Sequence, residues 1–340
     1  MKNILILSKN FKDYISGLYY QDLINAFNAK HNVFLYGPGY GNYSLDDNFE
    51  SVLDKSLDYL ESVDLIVVSN SWGNENPENA IFDEHPNICL SRITIPSVYF
   101  LNKEYKKIDQ KLAYIKINKF DVIFTVHKNH EGWSEKTGLL FKTMPFGVDL
   151  TRFKPLNLPK IYDFSFMGAL HRSYGVTSRY AMKKILFKPN KINSIFNKSR
   201  WFRLNFIRKK YQDYNIFWAE WSAKNIFNKP LTLHGQEYIV FLNKTKVCLN
   251  SLSAHGIFNT RFFELMATKT LIFCPKSVES YGILVDGVNA VMFNDDFSDL
   301  EKKFQLLMSG QINYEKIIDR AFEDVQNYTY ENIVDNVILH

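Results

Sequence analysis

At 340 residues the chain is longer than one ordinary core, so its length predicts two domains of roughly 150 to 190 residues each. Its 46% hydrophobic, 23% charged and 16% aromatic residues exclude a disordered or low-complexity protein. The net charge of +5 is local, because residues 188–210 carry eight Lys or Arg and no acid; this argues for an anionic partner on one face and against a general nucleic-acid binder.

The first residues, MKNILILSKN, hold too short an apolar run for a targeting segment and read as a strand. No later stretch approaches the roughly 18 to 20 apolar residues of a membrane span. Cys89, Cys248 and Cys274 are odd in number and sit in apolar runs, so they are predicted to be buried free thiols in a reducing compartment. The expected setting is cytoplasmic, at most peripheral at the inner face of a membrane.

Strands are predicted at 3–8, 33–36, 64–69, 97–101, 121–126 and 140–144, with amphipathic stretches between them, the pattern of a parallel sheet wrapped by helices. Polar or turn-forming loops follow several of them: GPGYGN at 37–42, NSWGNENPEN at 70–79, NKEY at 102–105 and HKNHEG at 127–132. Ligands of open α/β sheets bind at such carboxyl-terminal loops. MPFGVDLTRFKPLNLPKI, 144–161, has three prolines, one glycine and no periodicity, and is read as the interdomain linker. A second series follows, with strands at 162–167, 231–234, 246–250, 270–274 and 290–293 and helices from 298 onward. The fold expected is α/β, two Rossmann-like domains facing across a cleft. The acceptor-side domain would span 1–155 and the donor domain 156–322, with a helix in 323–340 packing back toward the first.

The segment LNSLSAHGIFNTRFFELMATKTLIFCPKS, 249–277, reads strand, loop, helix, strand. Asn259 or Thr260 is the predicted N-cap of a helix from Arg261, whose first N–H groups would receive a phosphate oxygen. Arg261 and Glu264, three apart, share a helix face. The cation suits a diphosphate and the carboxylate suits ribose hydroxyls.

Arg261, Phe263, Glu264 and Ala267, followed by TLIFCP, form an R-x-F-E-x-x-A pattern that resembles the group 1 GT-B glycosyltransferases, in particular their CgeB-like branch. DFSFMGALHRS at 163–173 is similar to that family's opening donor-domain strand, which implies phosphate roles for Gly168 and Arg172. GVNAVMFND at 287–295 and NYTYEN at 327–332 resemble its closing segments. The resemblance implies transfer of a sugar from a nucleotide-sugar donor to a hydroxyl of a glycan or lipid-linked acceptor, in surface polysaccharide synthesis. It also implies retaining, metal-independent chemistry with no cofactor beyond the donor substrate. One departure stands out: retaining relatives often carry a second glutamate eight positions before Glu264, where this chain has Gly256 beside His255.

IPSVYFLNKEY, 95–105, resembles the first-domain strand whose following loop holds a catalytic histidine in many relatives; here the loop has Asn102, Lys103 and Glu104. Glu104 could accept the acceptor's proton and Lys103 could stabilise the leaving diphosphate. The next predicted strand ends on His127, a general-base candidate because histidine titrates near neutrality, with His130 and Glu131 close behind. The glycines of 36–42 lack dinucleotide-fingerprint spacing, and no H-E-x-x-H, paired C-x-x-C or aspartate cluster announces a metal. Trp72 is a stacking candidate for a sugar ring.

Residues 188–214, KPNKINSIFNKSRWFRLNFIRKKYQDY, set Trp201, Phe202, Leu204, Phe206, Ile207 and Tyr211 among basic residues. They could rest on an anionic membrane or hold a lipid diphosphate, or form a helix packed on the donor domain. Two other functions fit the same architecture: a nucleotide-sugar 2-epimerase and a non-catalytic glycan-binding protein.

Overall fold

The computed structural model describes residues 1–12, 18–68, 87–101, 104, 107–170, 177–189, 205–221, 233–253 and 255–338. The chain divides into two compact units, Met1–Asp149 with Asn327–His340, and Leu150–Gln326.

The first unit runs β1 (Asn3–Leu7), α1 (Leu18–Lys30), β2 (Asn32–Tyr36), α2 (Phe49–Leu57), β3 (Leu65–Val68), β4 (Ser97–Leu101), α3 (Ile108–Asn118), β5 (Val122–Thr125), α4 (His130–Thr137) and β6 (Phe141–Thr143). The sheet order is β2-β1-β3-β4-β5-β6, and every pair is parallel. Successive side chains of a strand point to opposite faces, so β1 sends Ile4 and Ile6 into one core and Leu5 and Leu7 into the other. Because both faces are covered, β3 and β4 are buried along their whole length, which is why they read as unbroken apolar runs.

The C-terminal helix α10 (Tyr330–Ile338) belongs to this unit. Tyr330, Ile333 and Val334 join the core formed with α1, and Lys30 Nζ lies 2.5 Å from Asp335 Oδ2. Gly147 makes that return possible: a Cβ there would sit 2.8 Å from Ile333 Cδ1 and 3.1 Å from the Tyr328 carbonyl oxygen.

The second unit contains β7 (Tyr162–Ala169), α5 (Thr177–Leu186), β8 (Phe187–Pro189), β9 (Asn205–Ile207), β10 (Ile216–Trp221), α6 (Gly235–Asn243), β11 (Thr245–Leu249), α7 (Arg261–Ala267), β12 (Leu271–Pro275), β13 (Val291–Phe293), α8 (Leu300–Met308) and α9 (Glu315–Val325). Its main sheet is parallel with the order β10-β7-β11-β12-β13. In both units the second strand is laid outside the first and the third on the other side. The strand order therefore reverses between β1 and β3, and again between β7 and β11, and crevices at such reversals are where open α/β sheets bind ligands.

Three expectations are corrected. The strand expected at 231–234 is absent where it can be seen: 231–232 lie outside the described residues, and Leu233 and His234 lead directly into α6. A strand not expected from the sequence, β10, pairs with β7, and its IFWAEW sequence is rich in strand-forming aromatic residues. The basic stretch 188–214 is not one helix, because β8 and β9 pair antiparallel, with 190–204, including Trp201, Phe202 and Leu204, outside the described residues. Tyr211 is a core residue at 2% exposure, its hydroxyl donating to Glu301 Oε1 at 2.6 Å. Cys89 is exposed rather than buried, while Cys248 and Cys274 are buried free thiols. Trp72 lies outside the described residues, among which no helix is long and apolar enough to cross a membrane.

Candidate donor and acceptor-side sites

At the carboxyl end of β7 the chain reaches Met167 and Gly168. Arg261 Nη1 donates to the Met167 carbonyl oxygen at 2.5 Å, and a Cβ on Gly168 would stand only 3.3 Å from that nitrogen. Gly168 has φ +157, a backbone setting that a side chain disfavours, so glycine serves both this bend of the strand end and the close approach of the guanidinium.

Arg261 Nε donates in turn to the Tyr238 hydroxyl at 3.2 Å, and that hydroxyl donates to Glu264 Oε2 at 2.7 Å. Burial, then the Glu264 charge, pushes the Tyr238 hydroxyl well above its ordinary pKa, so it remains an O–H donor at neutral pH. Burial opposes the charge of Arg261, but Tyr238, Cys248 and Glu264 around it outweigh that effect, and the guanidinium stays charged. Arg261 and Glu264 thus share one face of α7 as predicted from their spacing, but they are joined through a residue of α6. Nothing in the sequence singles out Tyr238 among the chain's 20 tyrosines.

A second cation sits beside them. Arg179 on α5, 7% exposed, donates from Nε to Ser251 Oγ at 3.0 Å and from Nη2 to the Leu252 carbonyl at 3.4 Å. Its guanidinium lies 5.6 Å from the centroid of the Phe166 ring. Burial, then the charge of Arg261, lowers its pKa to about 10. Two guanidinium groups therefore converge on the ends of β7 and β11. Sequence reasoning passed over Arg179 because its helix carries two other basic residues, Lys183 and Lys184, and shows no motif.

The capping expectation at 259–261 is corrected. Asn259 does not cap α7: its side-chain amide donates to the Ser251 carbonyl at 2.8 Å and its Oδ1 accepts from Asn250 Nδ2 at 3.1 Å. Thr260 is itself helical, at φ −55 and ψ −31, and its side chain caps nothing. The Phe262 and Glu264 N–H groups already donate to the Asn259 and Thr260 carbonyls, so the start of this seven-residue helix is not an open row of amides for phosphate. Arg172 lies outside the described residues.

In the first unit, Glu104 and His127 are brought to the carboxyl ends of the neighbouring strands β4 and β5 and linked by Thr125. The Thr125 hydroxyl donates to Glu104 Oε1 at 2.5 Å and accepts from the His127 backbone N–H at 3.1 Å. Glu104 is 6% exposed, and its other oxygen, Oε2, is buried with no hydrogen-bond partner among the described residues. Burial raises the Glu104 pKa against the opposing effects of Thr125 and Lys111, which favours the protonated acid over its ordinary state. His127 Nδ1 accepts from the Asn129 backbone N–H at 3.1 Å, which assigns the proton of the neutral ring to Nε2. His127 therefore presents a donor there rather than a free lone pair. Lys103 lies outside the described residues, among which no group of His, Cys, Asp and Glu has the make-up of a metal site.

Residues 198–338 match the model of a family described as glycosyl transferase-like. No curated protein matches the chain. Among solved structures it is similar to sucrose-phosphate synthase from Thermosynechococcus elongatus, with 13% identity, 100% of this chain and 98% of that one covered, and a TM-score of 0.58. It is similar to HepE from Anabaena in complex with UDP and glucose, with 11% identity, coverage of 100% and 99%, and a TM-score of 0.56. An alpha-glucosyltransferase in complex with UDP-glucose and DNA containing an abasic site shows 12% identity, full coverage of both chains and a TM-score of 0.58. The fold is that of the GT-B glycosyltransferases, two Rossmann-like domains, and the matched family region contains Tyr238, Arg261 and Glu264.

Proposed function

We propose that the protein is a glycosyltransferase that moves a sugar from a nucleotide-sugar donor to a hydroxyl of a glycan or lipid-linked acceptor. The observation that carries this reading is the Arg261, Tyr238 and Glu264 arrangement at the end of β7, where strand order reverses, within the glycosyl transferase-like region. The two fold neighbours solved with UDP and glucose or with UDP-glucose make a UDP-sugar the first donor to test.

In this reading Glu264 accepts hydrogen bonds from the ribose hydroxyls. Arg261 and Arg179, with Arg172, neutralise the diphosphate as the glycosidic oxygen departs with the bonding pair, a role suited to cations in a partly dry site. Gly168 lets the diphosphate approach the backbone, and Asn259 holds the loop that leads through Thr260 into α7. In its ionised form Glu104 takes the acceptor hydroxyl's proton, because a raised pKa makes that carboxylate a stronger base. His127 and Lys103 stand nearby in sequence as a donor and a cation for the acceptor and the leaving group. A retaining, metal-independent course in the assembly of surface polysaccharide, in the cytoplasm, completes the proposal. Contact of 188–214 with an anionic membrane would appear as salt-sensitive binding to phosphatidylglycerol vesicles.

The test is a thermal-shift titration against UDP, GDP, dTDP, ADP, CMP and their sugar conjugates, on the wild type and Glu264→Ala. A ligand that binds only the native state raises its stability with concentration. The expected result is a shift with one nucleotide family that Glu264→Ala loses. A folded wild type indifferent to all of them would overturn the reading.

A further inference from the structure

Glu264 and Arg261 have side chains long enough to adopt many rotamers, yet one atom constrains both. The Tyr238 hydroxyl accepts from Arg261 Nε and donates to Glu264 Oε2, while Arg261 Nη1 is tied separately to the Met167 carbonyl. Tyr238 comes from a different helix, and the Phe153 ring meets its ring edge-on at 6.3 Å between centroids. Its ring is thereby braced by a residue outside the α6 and α7 pair. Burial and the Glu264 carboxylate keep the hydroxyl protonated, so the donor role is permanent at neutral pH.

We infer that Tyr238 is a positioning residue for nucleoside recognition: it occupies Oε2 of Glu264 and turns Oε1 toward the ribose hydroxyls. This rests on the donor-site reading above and adds to it the residue that makes a mobile glutamate selective. The two functions of the pair are separable, because Arg261 retains its Met167 anchor without Tyr238. Losing the hydroxyl should therefore damage ribose recognition more than diphosphate binding.

The experiment compares the wild type, Tyr238→Phe, Glu264→Gln and the double variant by calorimetric titration. The probes are UDP, GDP, ADP and dTDP, the 2′,3′-dideoxy form of whichever ribonucleotide binds, and inorganic pyrophosphate. In the wild type the ribonucleotide is expected to bind about tenfold or more tighter than its dideoxy form, the scale of a hydrogen bond to a charged group. Tyr238→Phe should lose most of that preference while its pyrophosphate affinity changes less than about threefold, and the double variant should be no worse than Glu264→Gln alone. Tyr238→Phe retains the ring that meets Phe153, and its melting curve checks that it is folded. If that variant melts early, titrating all four proteins about 10 °C below its melting point keeps the comparison valid. A folded Tyr238→Phe that keeps the full ribose preference overturns the inference and leaves the donor site standing. A wild type that binds none of the nucleotides overturns both.

Discussion

Thr125 Oγ1 and Glu104 Oε1 are 2.5 Å apart, at the carboxyl ends of two neighbouring parallel strands, and the same hydroxyl accepts from the His127 backbone. This satisfies one oxygen of a buried carboxyl group, and the other has no partner among the described residues. A buried group in that state favours its neutral form.

The consequence is a stability that depends on pH with a definite sign. Glu104 has its folded pKa raised above its unfolded value, so between the two the native state binds more protons and stability falls as pH rises. Glu104→Gln keeps an acceptor for Thr125 and removes the charge. Its melting temperature should match the wild type in acid and exceed it increasingly above about pH 4.3, the ordinary glutamate value, levelling off above the raised pKa. Equal pH profiles for the two proteins would show that Glu104 carries no such penalty.

Gly168→Ala forces a side chain into a positive φ and against Arg261 Nη1. It should cost about 1–3 kcal/mol in chemical denaturation and weaken the response to whichever nucleotide binds, because the backbone is strained and the guanidinium is pressed from its place at Met167. A variant with unchanged stability and binding would mean that the end of β7 can relax without moving Arg261.

Asn259→Ala removes the amide that holds the Ser251 carbonyl and leaves the buried Asn250 side chain without its Oδ1 acceptor. The expected loss is about 1–3 kcal/mol. Were Asn259 a helix cap instead, Asn259→Ser would rescue stability, since serine caps well; in this geometry serine is too short to reach, and equilibrium unfolding should show no rescue.

Ile333→Ala opens the core shared by α10 and α1, for a loss of about 2–5 kcal/mol. Hydrogen exchange should quicken in β1 and β4 before β7 and β11, because α10 belongs to the first unit although it follows the second in sequence. Uniform acceleration through both sheets would instead mean that the two units unfold together.

The parallel sheets were legible because buried strands announce themselves: LIVV at 65–68 and LIFCP at 271–275 have no other place to go than a covered sheet. β10 was missed for a reason of the same kind. Among the described residues it is an edge strand, residues 216–220 are only partly buried, and its sequence lacks the continuous apolar run that marks β3 and β12.

For the candidate sites, spacing along the chain sufficed wherever both residues share one local element. Arg261 and Glu264 are three apart, and any helix puts them on one face. Glu104 and His127 were suggested by position, each just beyond a strand. Tyr238, Arg179 and Thr125 depended on the tertiary structure, because each acts across an interval of 20 to 80 residues on a partner in another element, and periodicity carries no information about which helix packs on which strand end. Sequence determined the two α/β halves and the short-range pairs, through the local repeat of buried side chains. Only the folded chain decided which hydroxyl holds Glu264, which second guanidinium stands by Arg261 and which oxygen of Glu104 meets Thr125, because those contacts follow from strand order and helix packing.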